Sequence, residues 1–241
     1  MNYDLLKYAF LNVKKRKMRS SLTILSIMIG VTAIFALVSF GQGLTDYIKV
    51  LSENAGVDKL FLQSRGMGAP GTDPSFAITK DDVDFVSKVN GVAEVSGLYM
   101  KTLQIKKDKQ LKFVFGSGID STKTKLIESA FNVGIEKGRQ LKKGDLDKVV
   151  LGHNYQFADK VFKRPISPGE KISVNDREFT VVGFYEEIGN PQDDSNAYFT
   201  YETIEDMFPS SKDKYGWAII QANKNTPPSE LADRINEKLR K

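Results

Sequence analysis

Cysteine is absent from the 241 residues, and histidine and tryptophan occur once each, as His153 and Trp217. Without cysteine there is no disulfide scaffold, no thiolate metal ligand and no cysteine nucleophile. A lone histidine has no second imidazole with which to build a metal site, and as a general base it needs a placed partner. A nucleotide-binding loop is missing as well. Gly118-Ile119-Asp120-Ser121-Thr122-Lys123 resembles a phosphate loop only superficially, because no glycine precedes the lysine, and G-x-x-x-x-G-K-[ST] occurs nowhere. Gly66-Met67-Gly68-Ala69-Pro70-Gly71 spells G-x-G-x-x-G. That motif must open a helix to hold a pyrophosphate, and Pro70 and Pro74 deny it one. The chain also lacks a basic folded domain. Of its 35 Lys/Arg and 30 Asp/Glu, residues 1–44 take six basic and one acidic, leaving 29 of each sign in the rest. A nucleic-acid binder concentrates positive charge on its folded domain, so no nucleic-acid partner is expected.

What the chain does have is one long apolar run. Ser21 to Phe40 carries no charge, and fourteen of its twenty residues are Leu, Ile, Val, Met, Ala or Phe. As a helix it spans about 30 Å, the hydrocarbon thickness of a bilayer. A surface helix of a soluble protein keeps one face in water, and this run leaves none for it. The run predicts a transmembrane helix over residues 21–43. Lys14, Lys15, Arg16, Lys17 and Arg19 precede it, whereas Asp46, Lys49, Glu53, Asp58 and Lys59 after it are mixed in sign. Lys and Arg favour the cytoplasmic side, which puts residues 1–20 inside and residues 44–241 outside the cell membrane. The alternative is a cleavable signal peptide, whose apolar core is shorter and ends in A-x-A-like residues; Ala36-Leu37-Val38-Ser39 matches that poorly. Tyr3, Leu6, Phe10 and Val13 recur at helical spacing, so residues 3–17 read as an amphipathic, basic segment lying on the bilayer or simply anchoring its orientation. Within the membrane run Thr23, Ser26, Gly30 and Ala33 share one face, a small-residue stripe of the kind that lets a second membrane helix approach. The sequence has no second apolar run to supply that helix, so the partner is expected on another chain.

Beyond Gly41 and Gly43 the helical period resumes through Leu44, Tyr47, Ile48 and Leu51 to about Gly56. The 197 residues after Leu44 suffice for one larger domain or two small ones. A strand over 59–63 and a Gly/Pro-rich loop over 64–74 lead to a helix over 79–89, with Thr79 as N-cap and Asp81 and Asp82 in its first turn. Strands over 93–105 and 110–115 pair as a hairpin through Lys106-Lys107-Asp108-Lys109. Helices are expected over 123–131, 154–162, 201–208 and 227–241. Strands are expected over 149–152, 171–174, 178–184, 197–200 and 217–222. Asn175-Asp176 turns the second of these strands into the third. The class is α+β.

Candidate chemistry is thin. His153 at a strand end reads as a surface or cap residue. Glu186, Glu187, Asp193 and Asp194 surround Asn190-Pro191. Paired carboxylates can serve glycoside chemistry or bind calcium, but the spacing fits no EF-hand, and a solvated loop is the expectation. Trp217 reads as core or interface packing. With no catalytic constellation, no metal site and no cofactor site, the chain reads as a non-enzyme.

Lys17-Met18-Arg19-Ser20-Ser21-Leu22-Thr23-Ile24-Leu25 running into Ile29-Gly30-Val31 resembles the start of MacB/FtsX-type ABC transporter permeases. Gly138-Arg139, Val150-Leu151-Gly152, Pro168-Gly169-Glu170-Lys171-Ile172 and Phe179-Thr180-Val181-Val182-Gly183 resemble later motifs of that family, in the family's order. The resemblance covers nearly the whole chain. It implies a subunit that does not hydrolyse ATP itself but works with a separate cytoplasmic ABC ATPase, transmitting its closure across the membrane to an extracytoplasmic domain (mechanotransmission). Export, efflux and envelope signalling are the family's roles. It also implies a porter-like part, residues 57–106 and 211–241, carrying an inserted subdomain over 107–210. Lys14, Lys15, Arg16, Lys17 and Arg19 would then face the ATPase as well as set topology. Family members continue into three more membrane helices, whereas this sequence stops at Lys241. It is therefore expected to be a truncated form, half of a split gene or a single-pass relative, with further membrane helices from another chain or a second permease copy. The alternatives are a single-pass anchored binding or sensor domain needing no ATPase, and an anchored envelope enzyme using His153 or the acidic loop.

Overall fold

The computed structural model describes residues 17–54, 58–64 and 76–239. The expected amphipathic segment 3–17, with Lys14, Lys15 and Arg16, lies outside the described residues, as does the G-x-G-x-x-G stretch Gly66–Gly71. The chain divides into two compact units, the second beginning at Glu53.

The described residues of the first unit belong to one helix, α1 (Lys17–Asn54), of 38 residues and about 57 Å. The helix does not pause at Gly41 and Gly43; the apolar run and the expected helix after it are continuous. Met18–Tyr47 is long and apolar enough to cross a membrane. No Asp, Glu, Lys or Arg interrupts it between Arg19 and Asp46.

The second unit is built on a single nine-stranded sheet. Strand β1 (Lys59–Gln63) is followed by the short β2 (Ile78–Thr79) and helix α2 (Lys80–Ser87). The helix starts where the sequence says it should. Thr79 Oγ1 accepts from Asp82 N at 3.2 Å, and an Asp82 carboxylate oxygen accepts from Thr79 N at 2.8 Å, a reciprocal capping box. Strands β3 (Val92–Lys107) and β4 (Gln110–Ile119) form the long hairpin, in register from Lys107↔Gln110 to Tyr99↔Gly118. Asp108 takes a positive φ of 53° at the turn, a conformation that Asp tolerates. Then come α3 (Thr124–Phe131), β5 (Ile135–Gly138), β6 (Lys148–Leu151), a 3₁₀ turn at His153–Gln156, β7 (Lys171–Val174) and β8 (Arg177–Tyr185). A 3₁₀ turn at Asp193–Ser195, β9 (Ala197–Thr200), α4 (Tyr201–Met207), β10 (Lys214–Tyr215), β11 (Trp217–Ala222) and α5 (Pro228–Leu239) complete the domain.

At one end of the sheet β11 lies between β1 and β3 and antiparallel to both, so β1 and β3 run parallel with α2 as their crossover, a split β-α-β unit. At the other end the sheet closes. β3 pairs β4, β4 pairs β9, β9 pairs β6, β6 pairs β8, β8 pairs β7, and β7 returns to β3 at Ile105↔Val174. Closure removes free edges from most of these strands. Alternating side chains fill the interior: Leu103, Ile105, Val149, Leu151, Ile172, Val174, Phe179, Val181 and Phe199, all buried. The opposite face carries a second cluster in which Leu126, Ile127 and Ala130 of α3 cover Leu98, Ile119, Val150 and Tyr198. At the split β-α-β end, Val86 of α2 and Leu231 and Ile235 of α5 join the first cluster.

One expected element is not there. Asn154–Phe162 is not a helix: only His153–Gln156 coils, as a 3₁₀ turn, and Asp159 sits at φ 62°. Tyr155 is pinned by donating its hydroxyl to Ser195 O at 2.9 Å, and the Ile166 amide donates to Tyr155 O. Tertiary bonding overrides the local helical period here.

Candidate functional site

The apolar side chains of α1 stand exposed, with Ile34, Phe35 and Leu37 each about seventy per cent accessible. Leaving such surface in water costs about 25 cal/mol per Å², so this helix requires an apolar medium or partner helices around it. Three of its hydroxyls make no demand on that medium. Thr23 Oγ1 donates to Arg19 O at 3.0 Å, Ser26 Oγ to Leu22 O at 2.9 Å and Thr45 Oγ1 to Gly41 O at 2.9 Å. Thr23, Ser26, Gly30 and Ala33 fall on one face, and a Cβ placed on Gly30 meets nothing within 4 Å. Lys17 opens α1 and Arg19 is exposed two residues later.

In the β-domain the sequence-derived candidates separate into two small clusters. His153 Nδ1 lies 2.8 Å from a Glu136 carboxylate oxygen that also accepts from Gln156 Nε2 at 2.6 Å, and its ring packs 4.8 Å from Phe157. Burial pushes the Glu136 carboxyl up, but the hydrogen bonds from Gln156 and His153 and the positive charge nearby hold it below its ordinary value. The pair ties β5 to the turn after β6.

The acidic loop is not the solvated loop the sequence suggests. Glu186 and Glu187 are exposed, with Glu186 accepting from Gly134 N at 2.8 Å. Asp194 is only 3% exposed and accepts from Ile188 N at 2.7 Å and Gly189 N at 3.2 Å. Asp193 accepts from Asn190 Nδ2 at 2.9 Å; burial first, and the Asp194 charge second, push its carboxyl above the usual range. These carboxylates face inward because their own loop supplies their partners, backbone amides for Asp194 and the side-chain amides of Asn190 and Asn196 for Asp193. Among the described residues no group of three His, Asp or Glu is arranged to hold a metal ion. Trp217 packs between Phe61 and Phe131, at ring distances of 5.4 and 5.7 Å.

The motifs that carried the family resemblance are scaffolding in this structure. Arg139 forms a two-pronged pair with Asp145, and the Arg139 amide donates to Val182 O at 2.8 Å. A Cβ on Gly183 would stand 2.4 Å from Arg139 O, and one on Gly152 would stand 2.4 Å from Asp194 O, so both strands approach a neighbouring backbone more closely than any other residue allows. Sequence reasoning missed the Arg139–Asp145 pair because five residues of irregular chain lie between the partners. It also missed Tyr99, whose hydroxyl donates to Glu205 at 2.6 Å and accepts from Asp213 N at 2.9 Å, joining three distant segments.

Comparison with known proteins locates this scaffold. Residues 20–238 match the family model described as the MacB-like periplasmic core domain. An ABC transporter permease of Methanocaldococcus jannaschii is 30% identical over 239 residues, covering 99% of this chain and 58% of the relative. The macrolide export ATP-binding/permease protein MacB of Campylobacter fetus is 25% identical over 211 residues, covering 83% of this chain and 32% of that protein. The chain thus spans less than two thirds of the length of these relatives. Two crystal structures share the fold. The periplasmic region of MacB from Actinobacillus actinomycetemcomitans has a TM-score of 0.60 at 16% identity, over 77% of this chain and 84% of that one. The extracellular domain of the noncanonic ABC-type transporter YknZ from Gram-positive bacteria has a TM-score of 0.55 at 17% identity, over 76% and 95%.

Proposed function

This chain belongs to the MacB-like periplasmic core domain family of ABC transporter permeases, and on that premise we propose that it couples a cytoplasmic ATPase to its outer domain. In this reading it is a permease-type subunit, or the N-terminal portion of one. ATP is hydrolysed by a separate cytoplasmic ABC ATPase, and α1 carries the resulting movement to the domain for export, efflux or envelope signalling. The observation that supports the reading most is the continuity of the family match, which runs from Ser20 through the apolar helix and the whole β-domain to Lys238. The absence of a Walker sequence agrees with an ATP site lying outside these residues.

The finer assignments follow. The N-terminal side of α1, with Lys14, Lys15, Arg16, Lys17 and Arg19, lies in the cytoplasm near the ATPase, and the β-domain lies outside. Thr23, Ser26, Gly30 and Ala33 form the face against which further membrane helices pack, from another chain or a second copy; a bare glycine flanked by internally bonded hydroxyls suits close helix approach. The split β-α-β end, residues 57–106 and 211–241, serves as the porter-like part, and residues 107–210 as its insert.

Photocrosslinkers placed at Gly30 and Ala33, with Phe35 on the opposite face as control, test this reading in native membranes. The stripe positions should yield adducts with other membrane polypeptides in greater amount than Phe35. Equal labelling by lipid at all three positions would remove the helix-packing role. Because the chain has no cysteine, single cysteines at Ser20 and Thr122 report orientation directly. Only Thr122→Cys should react with an impermeant reagent added from outside.

A further inference from the structure

The barrel wall has an open stretch along β4. β4 pairs with β9 only from Gly116 to Ile119, so on that side Gln110–Phe115 has no strand neighbour among the described residues. The direction of its backbone groups is fixed by the hairpin. Gln104 turns its carbonyl towards β7, where it accepts from Asn175 N, so Leu103, Ile105 and Lys107 turn theirs towards β4. Their partners across the ladder are Val114, Lys112 and Gln110. The N–H and C=O groups of Leu111, Phe113 and Phe115 therefore point out of the sheet. Their side chains share one outer face, where Leu111 is 43% and Phe113 70% exposed. A hydrophobic edge of this kind is what natural sheets ordinarily cover or blunt.

The charge around the strip is one-sided. Lys106 pairs with Asp176, Lys107 with Glu170 and Arg164 with Asp108, which uses the nearby acids. Lys109 and Lys112 add to this, and so does Lys163, whose amide donates to the Gln110 side chain at 2.9 Å. A second copy of the chain is a poor occupant: antiparallel self-pairing about Phe113 would set two Lys112 side chains diagonally on one face, between two basic hairpin tips. An extended segment of opposite charge meets no such repulsion.

The geometry points to Leu111–Phe115 as a docking edge for an extended segment of another protein, in which acidic and apolar residues alternate, added as a strand beside β4. The outward amides supply the ladder, Leu111 and Phe113 cover the apolar side chains, and the lysines choose the acidic partner. This inference stands on the domain alone and does not depend on the ATPase-coupling reading.

The test uses the full chain in lipid nanodiscs and a capped peptide Thr-Val-Glu-Val-Glu-Val-Thr, with the same peptide carrying Lys for Glu as control. Amide hydrogen exchange should slow at Leu111, Phe113 and Phe115 with the acidic peptide and not with the basic one. Phe113→Pro removes an outward N–H that the β3 ladder does not use, so it should abolish the protection while leaving thermal stability close to that of the parent. Lys112→Glu leaves the backbone intact and should weaken the acidic peptide by up to about fivefold. Equal protection by both peptides, no protection at millimolar peptide, or protection elsewhere in the domain overturns the inference. So does a concentration-dependent doubling of mass that buries these amides without peptide, which would assign the edge to a second copy. Protection of the same amides by anionic vesicles alone would assign it to a membrane surface.

Discussion

Replacing Asp194 by alanine should destabilise the β-domain far more than any other change in the acidic loop. The carboxylate is 3% exposed and takes two backbone amides, Ile188 N at 2.7 Å and Gly189 N at 3.2 Å. Hydrogen bonds to a charged group contribute about 1.5–3 kcal/mol each, but Gly189 lies at the surface, where water can replace part of what is lost. A loss of about 2–4 kcal/mol follows, which for a domain of this size lowers Tm by roughly 5–15 °C. The damage should spread along a defined path. Gly152 N donates to Asn196 O, and Asn154 Nδ2 donates to Ser195 Oγ at 3.0 Å, so the loop also holds the turn that carries His153. Trp217, the only tryptophan, reports unfolding by fluorescence in a urea titration, and hydrogen exchange reports on Ile188 and Gly189. Asp194→Asn keeps one acceptor and should fall about midway, while Glu187→Ala, at an exposed site, should stay within about 0.5 kcal/mol of the parent. An Asp194→Ala protein within 0.5 kcal/mol of the parent, with unchanged exchange at the two amides, would refute the argument that this carboxylate organises the loop.

Asp193 gives the opposite sign. Burial and then the Asp194 charge raise its carboxyl above the unfolded value, so its stabilisation is complete below the ordinary carboxylate range and is lost as pH rises through the folded value. Asp193→Asn should therefore raise Tm at pH 7, with the gain shrinking as pH falls to about 4; a variant that melts lower at pH 7 contradicts this. Gly183→Ala pushes a Cβ to 2.4 Å from Arg139 O and should cost about 3 kcal/mol or more, measured by urea midpoint against Gly134→Ala, where the added Cβ meets only the end of the Glu186 side chain at 3.4 Å. Thr79→Ala removes the bond that Thr79 Oγ1 accepts from Asp82 N at the start of α2, leaves the backbone amide of residue 79 on the Asp82 carboxylate, and should cost about 1 kcal/mol.

Much of the chain was legible where the cause is local. The long apolar helix follows from twenty residues that leave no polar face. The β7–β8 turn follows from Asn175 and Asp176, both of which take positive φ, at 47° and 64°. The Thr79 cap and the β3–β4 hairpin follow from side-chain chemistry within a few positions. Closure of the barrel did not show, because Ala197–Thr200 lies parallel to β4 and antiparallel to β6, and neither register leaves a trace in neighbouring residues. Ile135–Gly138 has no alternating apolar pattern; it is a strand because Gly138 and Gly183 let it lie against β8. The acidic loop misled for a related reason. Charge suggests solvent, and only the fold reveals that Asp194 is held by amides five and six residues earlier. The candidate site shows the same division. The bare helix was visible at once, whereas the open edge of β4 appears only once β9 is seen to stop at Gly116.

Purification of the tagged chain from its native membrane, with identification of what accompanies it, tests the coupling role most directly. The account predicts a cytoplasmic ABC ATPase together with polypeptide supplying further membrane helices, and loss of that polypeptide when Gly30→Leu and Ala33→Leu enlarge the stripe. Recovery of the chain alone under conditions that preserve other membrane complexes would contradict it and leave an anchored outer domain that works without an ATPase.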